Sequence, residues 1–318
     1  MQPVIETKDL KKYFKVGSSS FLHAVDTVNL SIPAGATLGV VGESGCGKST
    51  LGRTILGLHP ATDGQVLYKG RDITHLKPAE RKKLAREMQI IFQDPYSSIN
   101  PRHSISHIIG EPIKVHKLVK GKAELEERVR ELMNTVGLAP RLYDAYPHEL
   151  DGGRRQRVGI ARALGMAPEF IVCDEPVSAL DVSIQAQILN LLMDLQEKMG
   201  LTYMFITHDL SVVKHISNEI AVMYLGQCVE RAPSDELFKN PAHPYTRALL
   251  SAIPVPNASA RERKPQLIRG EITSPIDPKP GCRFAVRCPH ATESCTGEEL
   301  HLTELSPGHF VMCRLHEN

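Results

Sequence analysis

No stretch of this 318-residue sequence approaches the roughly 18 consecutive apolar residues that a membrane-spanning helix needs. With a mean hydropathy of -0.19, the chain is therefore expected to be soluble and globular. A dominant charge is also missing. Lys and Arg number 38 against 36 Asp and Glu, a net charge of +2 that gives no field strong enough to argue for DNA, RNA or anionic lipid. The opening MQPVIETKDLKK lacks the apolar core of a secretory signal, so the seven cysteines are expected in a reducing compartment, as free or metal-bound thiols. Internal repeats and low-complexity tracts are absent, and the length suffices to bury a full core without disulfides.

Prolines mark the main division: 11 of 22 fall from Pro233 onward, which sets 233–318 apart from 1–232. Before that point, short apolar runs alternate with longer periodic segments, as at Thr37 to Val41, Glu169 to Cys173 and Tyr203 to Thr207. This alternation predicts an α/β layer fold with a largely parallel sheet. From Ile105 to Arg141 the spacing is helical throughout (Ile105, Ile108, Ile109, then Leu125, Val129, Leu132, Met133), which predicts a helical insertion placed at about 95–165. Ser18 to Ser20 reads as a loop and the Pro-rich Ile253 to Pro280 as a linker.

The segment Gly42-Glu43-Ser44-Gly45-Cys46-Gly47-Lys48-Ser49-Thr50 fits the pattern GxxxxGK followed by Ser or Thr, between an apolar strand and a helix-like stretch. Glycines at Gly42, Gly45 and Gly47 let backbone N–H groups turn inward around a phosphate at a helix N-terminus. Lys48 adds a positive charge on the β and γ phosphates, and Ser49 a hydroxyl ligand for Mg²⁺. A second acidic site, Asp174 and Glu175, closes the apolar run Phe170 to Cys173. Asp174 suits a role toward Mg²⁺ and Glu175 that of a base orienting water, although two acids ending a strand also serve as solvated caps.

Between these sites lies Leu150-Asp151-Gly152-Gly153-Arg154-Arg155-Gln156-Arg157. With its spacing, it resembles the signature segment of ABC-transporter ATPases, usually LSGGQ followed by RQR. The resemblance covers nearly the whole chain and implies an α/β fold with a P-loop NTPase core, a helical insertion subdomain and a small C-terminal Cys-rich extension. It also implies ATP and Mg²⁺ as ligands. Gln93 is similar to the loop glutamine that senses Mg²⁺ and touches the permease, and His208 to the switch histidine on the γ phosphate. Ser178 to Asp181 is similar to the dimer-contacting loop, and Tyr13 stands where the family stacks an aromatic ring on adenine, or is a packing residue. Two such chains would close each ATP site, with Gly152 and Gly153 allowing close approach at a helix N-terminus. Asp151 and Arg154 depart from the usual Ser and Gln. Asp151 would repel the partner's γ phosphate, or would simply cap its helix and pair with Arg154.

The tail segment His243 to Leu250, then Gly270-Glu271 leading to Gly281-Cys282, resembles the C-terminal extension of dipeptide and oligopeptide importer ATPases. Cys282, Cys288, Cys295 and Cys313 follow without the Cys-x-x-Cys pairs usual for zinc. The resemblance implies a four-iron four-sulfur (4Fe-4S) cluster on these cysteines, with Zn²⁺ or uncoordinated thiols as alternatives. Cys46, Cys173 and Cys228 read as small buried apolar residues.

Together these features lead us to expect an ATP-hydrolysing subunit that powers dipeptide or oligopeptide import, peripheral on the cytoplasmic face of the cell membrane. Its expected partners are a second, different ATPase subunit, two transmembrane permeases and an extracytoplasmic peptide-binding protein, with no nucleic acid. The alternatives are an importer of nickel or another small solute, and a soluble ABC ATPase acting on nucleic acid. A third is an iron–sulfur module with a decayed ATPase.

Overall fold

The computed structural model describes residues 2–253, 270 and 274–316. Most of the stretch read as a linker, Glu271 included, lies outside the described residues. The chain forms two compact units, one of 1–75 with 205–318 and the other of 76–204.

The first unit opens with two long antiparallel strands, β1 (Pro3–Val16) and β2 (Ser20–Pro33), followed by β3 (Thr37–Val41), α1 (Lys48–Ile55), β4 (Asp63–Tyr68) and β5 (Arg71–Asp72). In β2, Asp26, Val28, Leu30 and Ile32 are buried at every second position while Asn29 and Ser31 between them are not. That period turns one face of the strand to the core. The sheet β2-β1-β4-β5 is antiparallel throughout, which departs from the largely parallel expectation. The alternation of β2 carries that signal, and the expectation was drawn from short apolar runs alone.

The second unit begins with α2 (Pro78–Glu87), β6 (Met88–Ile91) and α3 (Pro95–Ser98). Three longer helices follow, α4 (Ile105–Val115), α5 (Lys122–Thr135) and α6 (Gly152–Leu164). It ends with β7 (Phe170–Asp174), α7 (Val182–Met199) and the start of β8 (Thr202–Ile206). Helix α4 is capped by Ser104, whose hydroxyl accepts from His107 N–H, and buries Ile105, Ile108, Ile109 and Ile113 on one stripe. Its neighbour α5 buries Val129, Leu132 and Met133, and both pack with α6. Strands β6 and β7 pair in parallel, Met88 opposite Phe170 through Ile91 opposite Cys173. All five residues of β7 are buried, which matches an apolar run without alternation.

Back in the first unit, α8 (Leu210–Ile216), β9 (Glu219–Tyr224), β10 (Gln227–Pro233), α9 (Ser234–Lys239) and α10 (Pro244–Ser251) precede β11 (Thr303–Ser306) and β12 (His309–Val311). β9 runs parallel to β3 on one side and antiparallel to β10 on the other. β12 then extends the sheet from β10, with Glu230 opposite Val311 and Arg231 opposite Phe310, and β11 follows it. The packing of α8 on β3 depends on Gly39, where a Cβ would fall 2.4 Å from Val213 Cγ1 and 2.5 Å from Ser217 Oγ.

Candidate functional site

The glycine-rich loop leaves fully buried β3 and enters α1 in conformations that its glycines alone tolerate. Gly42 has φ 152° and Gly47 φ 103°, and a Cβ on either would fall 2.2 Å from Met223 O or 1.9 Å from Ala24 O. The cap of α1 is Gly47, which offers no side-chain oxygen to the first-turn N–H groups. A helix start without a side-chain acceptor, approached by a backbone wrapped through Ser44 and Gly45, suits an anion. Ser44 and Gly45 are exposed, and Ser49 and Thr50 half-buried. Lys48 is 4% exposed, with its Nζ donating to Gly42 O at 2.8 Å and Glu43 O at 2.9 Å. The ammonium is thus held within the loop it is expected to serve. The donor set therefore fits a phosphate chain, and Ser49, half-buried in the first turn of α1, is the hydroxyl that could take a divalent cation there.

Tyr13, on β1, donates its phenol to Asp26 Oδ1 at 2.5 Å, and its ring lies 3.8 Å from that of His23, nearly parallel. One face of the tyrosine is therefore already covered. Burial and the hydrogen bond to Asp26 push the phenol's pKa up. Burial would raise Asp26 as well, but the Tyr13 hydrogen bond and the Arg283 guanidinium hold its carboxyl below the ordinary value. His208 belongs to the same unit and is exposed at the end of β8, where Thr207 N–H donates to Val40 O of β3 and Asp209 caps α8.

The second unit carries the acidic and signature residues. Asp174 ends β7 at 1% exposure, and Glu175 follows at φ 48°, a left-handed conformation rare outside glycine. Gln93 Nε2 donates to Glu175 Oε2 at 2.9 Å, so the two residues read as Mg²⁺ sensor and base are in contact. Asp151 is the cap of α6, accepting from Arg154 N–H. A Cβ at Gly152 would meet Leu180 at 3.0 Å, and one at Gly153 would meet Ile184 at 2.6 Å. The signature thus lies directly against the loop read as dimer-contacting.

Sequence reasoning missed Asp26, Arg283, Tyr245, Arg287 and Glu230, whose partners lie far along the chain. Glu230 is fully buried on β10 and accepts from Ala242 N–H, His243 N–H and His309. No periodicity or short motif marks such a residue; a lone acid inside an apolar strand is the one local signal.

The tail cysteines sit in short turns: Cys282 N–H donates to Cys295 O at 2.8 Å, and Cys288 Sγ accepts from His290 N–H at 3.4 Å. Burial pushes the Cys282 thiol up to about 11, with Cys313, Cys295 and Cys288 adding, and burial also raises Cys288 and Cys313. Among the described residues, the only three ligand atoms within 4.8 Å of one another are those of His103, His107 and Glu111, at the start of α4 and along it. The four thiols do not gather as tetrahedral zinc would require. Cys46, Cys173 and Cys228 are buried, as expected of packing residues.

The chain matches the ABC transporter family over residues 25–178 and the oligopeptide/dipeptide transporter C-terminal region over 229–295. Among its relatives, the oligopeptide transport ATP-binding protein OppF of Escherichia coli (strain K12) is 50% identical, covering 98% of this chain and 95% of its own length. The oligopeptide transport ATP-binding protein AppF of Bacillus subtilis (strain 168) is 48% identical, covering 99% and 98%. Among solved structures, a dimeric ATP-binding cassette in a post-hydrolysis state bound to ADP and Pi aligns with TM-score 0.67 at 29% identity, covering 72% of this chain and 98% of that one. The structure of cbiO1 from Clostridium perfringens, part of an ABC transporter complex, aligns with TM-score 0.67 at 25% identity, covering 76% and 92%. These relatives correct the iron–sulfur expectation for Cys282, Cys288, Cys295 and Cys313. They match across those cysteines and are described as ATP-binding proteins, with no iron–sulfur group. Four cysteines in a short tail admit many local geometries, and their number alone does not select a cluster. Phosphate loop, signature helix and near-complete match to its relatives agree: the chain belongs to the ABC transporter family of ATP-binding proteins, in the branch that carries the oligopeptide/dipeptide C-terminal region.

Proposed function

We propose that this chain is the ATP-hydrolysing subunit of an importer of dipeptides or oligopeptides. The observation that carries it is identity of about half over nearly the full length to oligopeptide transport ATP-binding proteins, tail included. In this reading 1–232 is the ATPase domain, with α3 to α6 as the helical insertion over about 95–165, and 233–318 the Cys-rich extension.

Lys48 and the N–H groups from Ser44 to Thr50 hold the β and γ phosphates, and the ring of Tyr13 lies toward adenine. Ser49 would offer its hydroxyl to Mg²⁺, and Asp174 and Gln93 are the other residues expected to serve that ion; when bound, it would offset the charge that builds on the phosphates during transfer. Glu175 accepts a proton from the attacking water, with Gln93 fixing its carboxylate, and His208 donates to the γ phosphate. Asp151, Gly152 and Gly153 start a helix whose N–H groups face the nucleotide of a second ATPase subunit, giving a head-to-tail pair. In this reading that second subunit is a different chain.

Two permeases and an extracytoplasmic peptide-binding protein complete the assembly. Among the described residues no helix is long and apolar enough to cross a membrane, in keeping with a peripheral subunit on the cytoplasmic face. The test is to purify the chain with its permeases and follow phosphate release as peptides and the binding protein are added. Stimulation by oligopeptides is expected. Stimulation by nickel or another small solute alone would overturn the peptide reading.

A further inference from the structure

Seven residues of the C-terminal region, Cys282-Arg283-Phe284-Ala285-Val286-Arg287-Cys288, reach two parts of the nucleotide site at once. Arg287 grips Glu43, the second residue of the phosphate loop, with a two-pronged pair: Nη1 to Oε2 at 2.8 Å and Nη2 to Oε1 at 3.1 Å. The guanidinium is 7% exposed and the carboxylate 24%, so the pair is largely shielded from solvent. That same Glu43 donates its backbone N–H to Tyr245 Oη at 2.8 Å. Tyr245, Tyr224 and the fully buried Phe284 pack ring against ring with centroids 4.7 to 5.4 Å apart. Four residues before Arg287, Arg283 pairs with Asp26 and donates to Leu225 O, and Asp26 in turn holds the Tyr13 phenol.

A carboxylate in the phosphate loop is a liability, because unpaired it repels the anion the loop collects. A planar fork cancels that charge and fixes its direction together, which a point charge does less well. We propose that Arg287 is a positioning residue for the phosphate loop, acting through Glu43, and that Arg283 is its counterpart for the adenine end, acting through Asp26 and Tyr13. The C-terminal region is thereby a working wall of the ATP site and not only an appendage. Each arginine serves a different part of the ligand: Arg287 the phosphates, which every nucleoside triphosphate shares, and Arg283 the base.

This rests on Gly42 to Thr50 being the phosphate site, and binding of inorganic tripolyphosphate by the unaltered full-length chain checks that first. No binding would overturn that reading. With binding in hand, Arg287→Met should raise the Kd for both tripolyphosphate and ATP about tenfold, with Arg287→Lys intermediate. Adding Glu43→Gln to Arg287→Met should restore most of the lost affinity, since the unpaired charge is then gone. Arg283→Met should weaken ATP while leaving tripolyphosphate within about twofold. Melting temperatures and circular dichroism show whether each variant is folded, and Arg287→Lys carries the test if Arg287→Met is not. Unchanged tripolyphosphate affinity in both Arg287 variants, or failure of Glu43→Gln to restore it, would overturn the Arg287 assignment. Equal loss of tripolyphosphate and ATP in Arg283→Met would overturn the other.

Discussion

Asp151 and Arg154 are joined twice: Asp151 Oδ1 accepts from Arg154 N–H at 2.8 Å, and its Oδ2 stands 3.5 Å from Arg154 Nε. The carboxylate at the altered signature position is thus committed to its own helix start and has a cation beside it, which offsets the repulsion expected toward a partner's nucleotide. Asp151→Ser keeps a capping oxygen and should change stability by less than about 0.5 kcal/mol, whereas Asp151→Ala should cost about 1 kcal/mol. Urea denaturation of the folded chain measures both. Restoring Ser and Gln together should alter ATP turnover of the assembled pair by less than about threefold. A gain of tenfold or more would show that the carboxylate impairs the site despite its partners.

Glu175→Gln keeps the shape that Gln93 contacts but removes the proton acceptor. Phosphate release should fall by about a hundredfold or more, while ATP affinity stays within about twofold. Lys48→Ala should do the reverse first, raising the Kd for ATP by losing a charge on the phosphates. Equilibrium nucleotide binding beside steady-state phosphate release separates the two effects.

His243 caps α10, its Nδ1 accepting from Tyr245 N–H at 3.1 Å. Burial, with His316 and Arg247 adding, pushes its pKa from 6.5 down to about 3. Because the folded value lies below the unfolded one, the unfolded chain takes up the proton first. Stability from this group is therefore complete above about 6.5 and lost as pH falls toward 3. Going from pH 7 to pH 5 should cost about 2 kcal/mol, seen as a lower urea midpoint. His243→Asn retains a capping oxygen and should flatten that part of the profile.

Glu230 gathers two backbone N–H groups and His309, each within 2.8 Å. Replacing it with Ala strands three buried groups, and should lower unfolding free energy by about 3 kcal/mol. Gln, which keeps one acceptor oxygen, should cost less. Equal effects of the two, by chemical denaturation, would show that the side chain's volume and not its oxygens matters.

What could be read from the sequence was what is local in it. Nine consecutive residues spell the phosphate loop, because its chemistry needs glycines and a lysine at fixed offsets within one turn. The cap at Asp151 and the stripe of isoleucines on α4 are likewise set by neighbours three or four positions away. Arg287 and Glu43, 244 positions apart, leave no such trace, and neither does the stacking of Tyr13 on His23. The antiparallel sheet was hidden because β1 carries shifts in register that blur its alternation. The cysteines mislead for the opposite reason: clustering along the chain does not say what the thiols hold, and among the described residues no three of them bring their sulfurs within 4.8 Å of one another.

The pairing of β12 with β10 has a further meaning. With its last strands in place, the sheet ends at β11, four exposed residues that include Glu304, a short and charged border poorly suited to recruiting another chain. Removed before Thr303, the chain would offer the apolar flank of β10 as its new rim, with unsatisfied amides facing solvent and the Glu230 carboxylate deprived of His309. The C-terminal strands thus act as a seal against edge-to-edge aggregation, and proteolysis there would be felt first as insolubility and only later as lost turnover.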